Sequence, residues 1–269
     1  MKIIHITDTH LVDKGQRLYN LDPAQRLAAV LTHVRDTQAD ADLLTITGDL
    51  TDRGEPGAYA MLGELLSDLP MPVRLLLGNH DDRAAFGAAF PGQPRDPGGY
   101  VQSVQQVPGL RDRLVFLDTN SPGENGGRFC ESRANWLREA LAEAPDAPLV
   151  VFLHHPPMDH GMRHFDNINF HDAARLMEVL DAHPGGVRHM FFGHIHIPFS
   201  GVMANGMGFT GGRGCSHQFR QEFENPAPDW IAGVPNYGII NITADMVTWH
   251  GVDTIEGEFL CATTPCAGP

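Results

Sequence analysis

Residues 2–10 read KIIHITDTH, a short apolar run that ends in Asp8 and His10. Four later stretches share this design, an apolar run followed by carboxylate, amide or imidazole side chains. They are 42–49 (DLLTITGD), 72–81 (PVRLLLGNHD), 149–156 (LVVFLHHP) and 187–196 (VRHMFFGHIH). Each run has the length of a buried β-strand. Because ligands of open α/β sheets gather at the carboxyl ends of strands, we expect the five ends to converge on one site.

Amphipathic segments alternate with the apolar runs, which is typical of an α/β fold. Asp22 followed by Pro23 is a helix-start signal, and apolar residues then recur with helical spacing from Leu27 to Val34. Neither an internal repeat nor a linker long enough to separate two domains interrupts the sequence. Residues 1–269 are therefore predicted to form a single domain, with 200–269 as its more variable C-terminal part.

The strand ends supply seven donor side chains, namely two carboxylates, one amide and four imidazoles. They are Asp8, His10, Asp49, Asn79, His154, His194 and His196. Asp8 and His10 are two positions apart, so in a continuing strand both would face the same side, and His194 and His196 repeat this spacing. Seven donors are too many for one Zn²⁺ but suit two ions that share a bridging carboxylate. Mixed oxygen and nitrogen ligands favour Mn²⁺, Fe²⁺, Co²⁺ or Zn²⁺.

Each motif alone has an ordinary structural explanation. An Asp-x-His triplet is common, Gly48-Asp49 is also a turn sequence, and Asn79 with the residues after it is also a helix cap. Their joint occurrence at five predicted strand ends favours a metal site over these explanations.

Composition excludes several classes of protein. The chain has 269 residues and a formal net charge of −14, which disfavours binding to nucleic acid or to an anionic membrane surface. No apolar run approaches the ~18 residues of a membrane helix, and His5 and Asp8 interrupt the N-terminal run, unlike a signal peptide. We therefore expect a cytoplasmic protein. Cys261 and Cys266 could form a disulfide or stay reduced, and reduced thiols are favoured in the cytosol.

Taken together, the five motifs resemble the signature of the calcineurin-like metallophosphoesterases over roughly residues 1–200. Within that superfamily, Gly78–Asp82, His154–Pro157 and Ser216–Gln218 resemble the class III cyclic-nucleotide phosphodiesterase and glycerophosphodiesterase branch. The resemblance implies a four-layer α/β/β/α sandwich with two mixed sheets. It is also compatible with a homo-oligomer.

The resemblance also implies a role for each site residue. One ion takes Asp8, His10 and His196, the second takes Asn79, His154 and His194, and Asp49 bridges the two. His155 then orients a neighbouring ligand by a hydrogen bond. His80 is the candidate that stabilises or protonates the leaving oxygen. His217 and Tyr19 are candidate substrate contacts, although Tyr19 could instead pack on the following helix.

The function implied is hydrolysis of small phosphodiesters, cyclic nucleotides or glycerophosphodiesters, by a hydroxide activated at two divalent transition-metal ions. Phosphomonoesterase or phosphonate monoesterase activity on the same metals is an alternative, because loops rather than metals select the substrate. A non-catalytic scaffold with this fold is disfavoured, since all the ligand positions and His80 are filled.

Overall fold

The computed structural model describes residues 1–254, and its first sheet contains three of the five apolar runs. Its strands are β1 (Lys2–Ile6), β2 (Leu43–Thr47), β3 (Val73–Leu76), β12 (Asn236–Ile242) and β13 (Val247–Asp253). Their order is β13-β12-β1-β2-β3. β1, β2 and β3 run parallel, while β12 is antiparallel to β1 and β13 to β12. The sheet is therefore mixed, and the carboxyl ends of three motif strands lie at one edge.

The second sheet contains the other two runs. Its strands are β4 (Ser103–Gln106), β5 (Arg113–Phe116), β6 (Leu149–Phe152), β7 (Val187–Phe192), β8 (Phe199–Val202) and β9 (Gly208–Gly211). The order is β4-β5-β6-β7-β9-β8, with parallel pairing from β5 through β9 and an antiparallel strand at each edge. A separate two-stranded ribbon pairs β10 (Gln218–Phe219) with β11 (Trp230–Ile231).

Six helices complete the fold of the described residues. They are α1 (Pro23–Thr37), α2 (Pro56–Leu66), α3 (Arg83–Ala89), α4 (Glu131–Ala142), α5 (Arg163–Asp166) and α6 (Ala173–Asp181). The predicted start of α1 is confirmed, because the Asp22 side chain accepts a hydrogen bond from the backbone N–H of Gln25. Asp82 caps α3 in the same way, through the N–H of Ala85.

Three apolar layers show how the elements stack. One lies between the first sheet and α1, α2 and α3, and includes Ile4, Leu31 and Leu62. A second lies between the second sheet and α4 and α6. The third lies between the sheets, where the rings of Phe116 and Phe152 stack. Helices thus cover the outer face of each sheet, which confirms the predicted four-layer α/β/β/α architecture.

Several short strands were not predicted from sequence. β4 reads SVQQ and β9 reads GFTG, so neither has the apolar pattern that predicts a buried strand. Pairing with strands nearby in the chain stabilises them, β4 with β5 and β9 with β7 and β8. Cys261 and Cys266 lie outside the described residues, and the two cysteines within them, Cys130 and Cys215, are free thiols.

Candidate metal centre

Five of the seven predicted ligands follow their strands in a left-handed backbone conformation. β1 ends at Ile6, so Asp8 and His10 do not belong to a continuing strand, and the reason given for their common direction was wrong. Asp8 and His10 have φ of 55° and 41°, and Asp49, His194 and His196 have φ of 47°, 72° and 56°. These sharp turns, rather than strand alternation, aim the side chains into one buried site.

The first donor set lies where β1 and β7 end. His196 Nε2 is 3.3 Å from Asp8 Oδ1 and 3.1 Å from His10 Nε2. His10 Nε2 is in turn 3.4 Å from Asp49 Oδ2. One donor atom from each of these four buried residues lies within 4.8 Å of all the others. Ligand atoms about 2.1 Å from a shared ion are about 3.0–3.4 Å apart, so the spacing fits a common cation.

The second donor set lies where β3, β6 and β7 end. Asn79 Oδ1 is 3.3 Å from His154 Nε2 and 3.1 Å from His194 Nδ1. His154 Nε2 is also 3.3 Å from Asp49 Oδ2. The same oxygen of Asp49 therefore borders both donor sets. The predicted convergence of the five strand ends is confirmed, whereas the metal-ligand roles remain predictions.

Glycines allow the loops that carry these donors to approach one another. A Cβ at Gly78 would lie 2.6 Å from His154 Nε2 and would also collide with the Asp49 carboxylate. Asp81 stabilises the same junction: its buried carboxylate accepts from the backbone N–H groups of Leu50, Thr51 and Gly78. The loops after β2 and β3 are thus held together by one side chain that sequence reasoning assigned only to a helix start.

Backbone carbonyls determine which ring nitrogen each histidine presents to the site. The pairs are His154 Nδ1 with Thr47 O (2.8 Å), His196 Nδ1 with His217 O (2.9 Å) and His194 Nε2 with Ile168 O (3.0 Å). Because a carbonyl only accepts, the proton lies on the nitrogen that faces it. In the neutral form of each ring, the other nitrogen therefore presents a lone pair to the site, as a metal ligand must.

These lone pairs face other lone pairs. The Asn79 carbonyl oxygen lies between acceptor nitrogens of His154 and His194, and Nε2 of His10 faces Nε2 of His196. Acceptors at about 3 Å repel one another unless a cation or a proton lies between them. Divalent cations fit this donor set, and the oxygen-nitrogen mixture without thiolates favours transition metals.

The charges of the buried groups lead to the same conclusion. Burial raises the pKa of the Asp49 carboxyl, but His154 and His80 more than offset this, so that the pKa lies well below its usual value. Burial lowers the pKa of His194 to about 3, and the neighbouring His154 adds to this effect. Burial likewise raises the pKa of the Asp8 carboxyl, but the charge and hydrogen bond of His196 together with the charge of His154 outweigh it, so that the pKa is lowered. Burial alone would lower the pKa of His154, but the carboxylates of Asp49 and Asp8 outweigh it and raise the pKa to about 9. The centre thus concentrates ionised carboxylates, whose charge a protonated His154 or bound cations would offset.

His80 lies beside the donors but outside both sets. Its backbone N–H donates to Asp49 Oδ1 at 3.0 Å, and its ring Nδ1 donates to the carbonyl of Asp52 at 2.8 Å. The side chain is 40% exposed, so Nε2 is free to meet a substrate. Burial alone would lower the pKa of His80. The carboxylates of Asp49 and Asp52 and the hydrogen bond to the Asp52 carbonyl have the larger combined effect, so the pKa lies above its usual value.

Asp52 is a site residue that sequence reasoning missed. Its Oδ1 lies 3.4 Å from Nδ1 of His10, the ring nitrogen that faces away from the donor set. Nδ1 of His10 makes no hydrogen bond within residues 1–254, so Asp52 acts on this ring through its charge rather than through a hydrogen bond. Its position three residues after Asp49 was the available signal.

The predicted substrate contacts His217 and Tyr19 lie next to each other. The His217 ring is buried and stands 4.9 Å from that of His10 and 5.0 Å from that of Tyr19. Within residues 1–254, Nε2 of His217 has no hydrogen-bond partner. Burial, followed by the effect of His196, lowers the pKa of His217 to about 2, so the ring is neutral. Trp230 stacks on Tyr19 and was not predicted as a site residue.

His155 is buried on the other side of the centre. Its Nδ1 lies 2.8 Å from the hydroxyl of Thr119, and its ring stands 4.6 Å from that of His194. Its Nε2 has no partner in the part of the chain that the structure describes. The contact with His194 is compatible with the predicted orienting role, which remains a prediction.

Comparison with known proteins identifies the family. The model of the family described as calcineurin-like phosphoesterase matches residues 1–198. The chain belongs to this family. A probable cyclic nucleotide phosphodiesterase of Rhodopseudomonas palustris is 41% identical over 256 residues, covering 93% of this chain and 91% of that one. A glycerophosphodiester phosphodiesterase of Enterobacter lignolyticus is 30% identical over 201 residues, covering 73% and 71%.

A solved structure supports the fold. The dimetal phosphatase of Danio rerio has a TM-score of 0.71 at 16% identity, and the match covers 95% of this chain and 96% of that one. The names of the sequence relatives confirm the resemblance to the cyclic-nucleotide and glycerophosphodiester branch. Among residues 1–254, no helix combines the length and the apolar character needed to cross a bilayer.

Proposed function

We propose that the protein is a dinuclear metal-dependent phosphodiesterase that hydrolyses small phosphodiesters, either cyclic nucleotides or glycerophosphodiesters. The position of Asp49 is the observation that carries this proposal. Its Oδ2 lies 3.4 Å from His10 Nε2 and 3.3 Å from His154 Nε2, so a single carboxylate oxygen borders both donor sets. Such an arrangement suits a bridging ligand between two ions.

The ligands divide into two groups around that bridge. Asp8, His10 and His196 would hold one ion, and Asn79, His154 and His194 the other. Two divalent ions bound there lower the pKa of a water ligand and offset the charge of phosphate oxygens. Manganese, iron, cobalt and zinc all fit the oxygen-nitrogen donor set.

The residues around the ligands complete the chemistry. The raised pKa of His80 favours its imidazolium form, whose free Nε2–H can donate a proton to the leaving oxygen. The bond from His80 Nδ1 to the Asp52 carbonyl orients the ring for this transfer. His217 Nδ1 lies 3.2 Å from the Ser216 hydroxyl, so with that hydroxyl as donor, Nε2–H is available to a phosphate oxygen.

Charge supports a small substrate. With a formal net charge of −14, the molecule as a whole repels polyanions. A single phosphodiester can be attracted locally by the bound cations. The names of the relatives, one a cyclic nucleotide phosphodiesterase and the other a glycerophosphodiester phosphodiesterase, support a diester.

A substrate panel tests the proposal. Protein reconstituted with Mn²⁺, Co²⁺ or Zn²⁺ is assayed with 3′,5′- and 2′,3′-cyclic AMP, glycerophosphoethanolamine, a phosphonate monoester and a simple monoester. We expect the highest kcat/KM for a diester. His154→Ala should lose both metal and turnover, while substitution of the exposed His250 by Ala should change neither. Higher kcat/KM for the monoester or the phosphonate than for every diester would contradict the proposal.

A further inference from the structure

An exposed aromatic pair borders the metal centre. Tyr19 and Trp230 stack with ring centroids 4.6 Å apart and an interplanar angle of 22°. Tyr19 is 50% exposed and Trp230 is 42% exposed, which is unusual for side chains of this size. Both rings contact His217, at 5.0 Å and 4.5 Å between centroids. His217 in turn contacts His10 and His196, so the pair begins one side chain away from the donors.

The backbone of Tyr19 has a conformation that is unfavourable for an aromatic residue. Leu18 and Leu21 exchange two backbone hydrogen bonds, and Tyr19 and Asn20 between them have φ of 49° and 64°. Positive φ at both central residues is the pattern of a type I′ turn, which favours Asn or Gly and disfavours an aromatic residue. The turn holds the tyrosine ring at its tip, where the ring stacks on Trp230 and makes an edge contact with His217. A residue that keeps an unfavourable backbone conformation at the edge of a site points to a functional role.

Strand pairing and a buried phenylalanine hold Trp230 in place. It belongs to β11, which pairs with β10 directly after His217, and its ring lies 3.8 Å from that of Phe219. Phe219 is buried in an apolar cluster with Phe165 and Ile195. Trp230 stacks on one face of Tyr19, and half of the Tyr19 surface is open to solvent. The result is a firm, flat aromatic surface beside the metal donors.

We propose that Tyr19 and Trp230 form a stacking platform for the nucleobase of the substrate, so that the enzyme prefers nucleotide diesters to glycerol diesters. This inference rests on the proposed function. A phosphoryl group at the donors, next to His217, places its organic substituent on the neighbouring rings. Planar bases stack on such a face with useful affinity. A quaternary ammonium group, in contrast, is recognised by several rings that surround it, and here the exposed surface is one flat face.

The test compares diesters with and without a nucleobase in three variants, one at Tyr19 and two at Trp230. Tyr19→Asn removes the ring but suits the turn, because asparagine accepts positive φ. Trp230→Ala removes the support, whereas Trp230→Phe keeps an aromatic face. We expect the two ring deletions to lower kcat/KM for 3′,5′-cyclic AMP by about tenfold or more, and to lower kcat/KM for glycerophosphoethanolamine by a smaller factor. Trp230→Phe should stay within about threefold of the wild type. The thermal midpoint of Tyr19→Asn should equal or exceed that of the wild type, and both ring deletions should keep their metal content.

Calorimetric titration with AMP and with glycerol 3-phosphate gives a readout independent of turnover. Ring deletion should weaken AMP binding and leave glycerol 3-phosphate unaffected. Equal losses for both diesters would overturn the platform, as would a larger loss for glycerophosphocholine than for cyclic AMP. If the wild type hydrolyses no diester, but the ring deletions weaken AMP binding, the platform is supported and the proposed function fails. If the wild type hydrolyses diesters, but ring deletion leaves the ratio of kcat/KM for cyclic AMP to kcat/KM for glycerophosphoethanolamine unchanged, only the platform fails.

Discussion

Five of the seven proposed ligands adopt a backbone conformation that is unfavourable for residues other than glycine. Each such residue costs about 1–3 kcal/mol, and the surrounding structure must compensate. This conformation bends the chain sharply after the strand, so that two nearby side chains point toward the same site. At Asp8 the hydroxyl of Thr7 and the N–H of His194 both donate to the carboxylate and hold it in place. The metal centre is thus built by strained but well-supported residues.

His80 and His154 are both histidines at strand ends, but they differ in ways that an experiment can separate. His154 is completely buried and presents Nε2 to Asp49, while His80 keeps Nε2 free. His80→Ala should keep both metal ions and lower turnover by about 10²–10⁴-fold, the range for general acid catalysis. The loss should be smaller for a nitrophenyl diester, whose leaving group needs no proton, than for an alkyl diester. Equal losses for the two substrates would rule out the proton-donor role.

At the scale of elements, the site depends on how closely the loops after β2 and β3 approach. Gly78 lies two residues after the end of β3, and no side chain fits between it and the Asp49 and His154 side chains. Asp81 then joins the two loops through three backbone hydrogen bonds and accepts a fourth bond, 2.9 Å long, from the Tyr59 hydroxyl. The positions of the ligands are therefore a property of two loops packed together.

Gly78→Ala tests this packing. The added Cβ must displace His154 or Asp49, so we expect lower metal content and a loss of turnover of about 10²-fold or more. Gly92→Ala is the matched control, because nothing lies within 4 Å of a Cβ placed there. Metal analysis and diesterase assays of both variants check the prediction. Wild-type metal content in Gly78→Ala would show that the loops are not as tightly packed as described.

At the scale of the whole molecule, the two sheets face each other across an apolar layer that also contains one histidine. His5 is 2% exposed, bonds to the Thr47 hydroxyl and packs against the rings of Phe152 and Phe191. Burial lowers the pKa of His5 to about 4, although the charge of Asp8 opposes this. The folded state thus binds the proton less well than the unfolded chain, whose histidines have a pKa of about 6.5.

Stability should therefore decrease as the pH falls from about 6.5 toward about 4, where the unfolded chain takes up a proton that folded His5 does not. Between pH 7 and pH 5 this group contributes a loss of about 2 kcal/mol. Urea unfolding at both pH values should show a smaller loss in His5→Gln than in the wild type. The exposed His250 provides the control substitution, His250→Gln. An identical pH dependence in His5→Gln and wild type would mean that His5 accepts a proton in the folded state.

The extent to which sequence predicts this molecule follows from where each signal lies. β2 and β6 could be predicted, because a strand buried on both faces reads as a continuous apolar run. The ligands could then be predicted, because they stand directly after apolar runs of this kind. Trp230 could not be assigned to the site, since only the ribbon of β10 and β11 brings it to Tyr19, 211 positions earlier in the chain. A contact between residues so far apart in the chain leaves no local sequence pattern.

Metal analysis of the wild type and of Asp49→Ala tests the central claim, a centre of two ions that share one carboxylate, most directly. After reconstitution and removal of loosely bound metal by gel filtration, we expect two ions per wild-type chain. Asp49→Ala should lose both ions or retain one that is weakly held, because Asp49 Oδ2 borders both donor sets. Asp40→Ala, a substitution at a largely exposed carboxylate, should retain two. One ion per wild-type chain, or two tightly held ions in Asp49→Ala, would contradict the account.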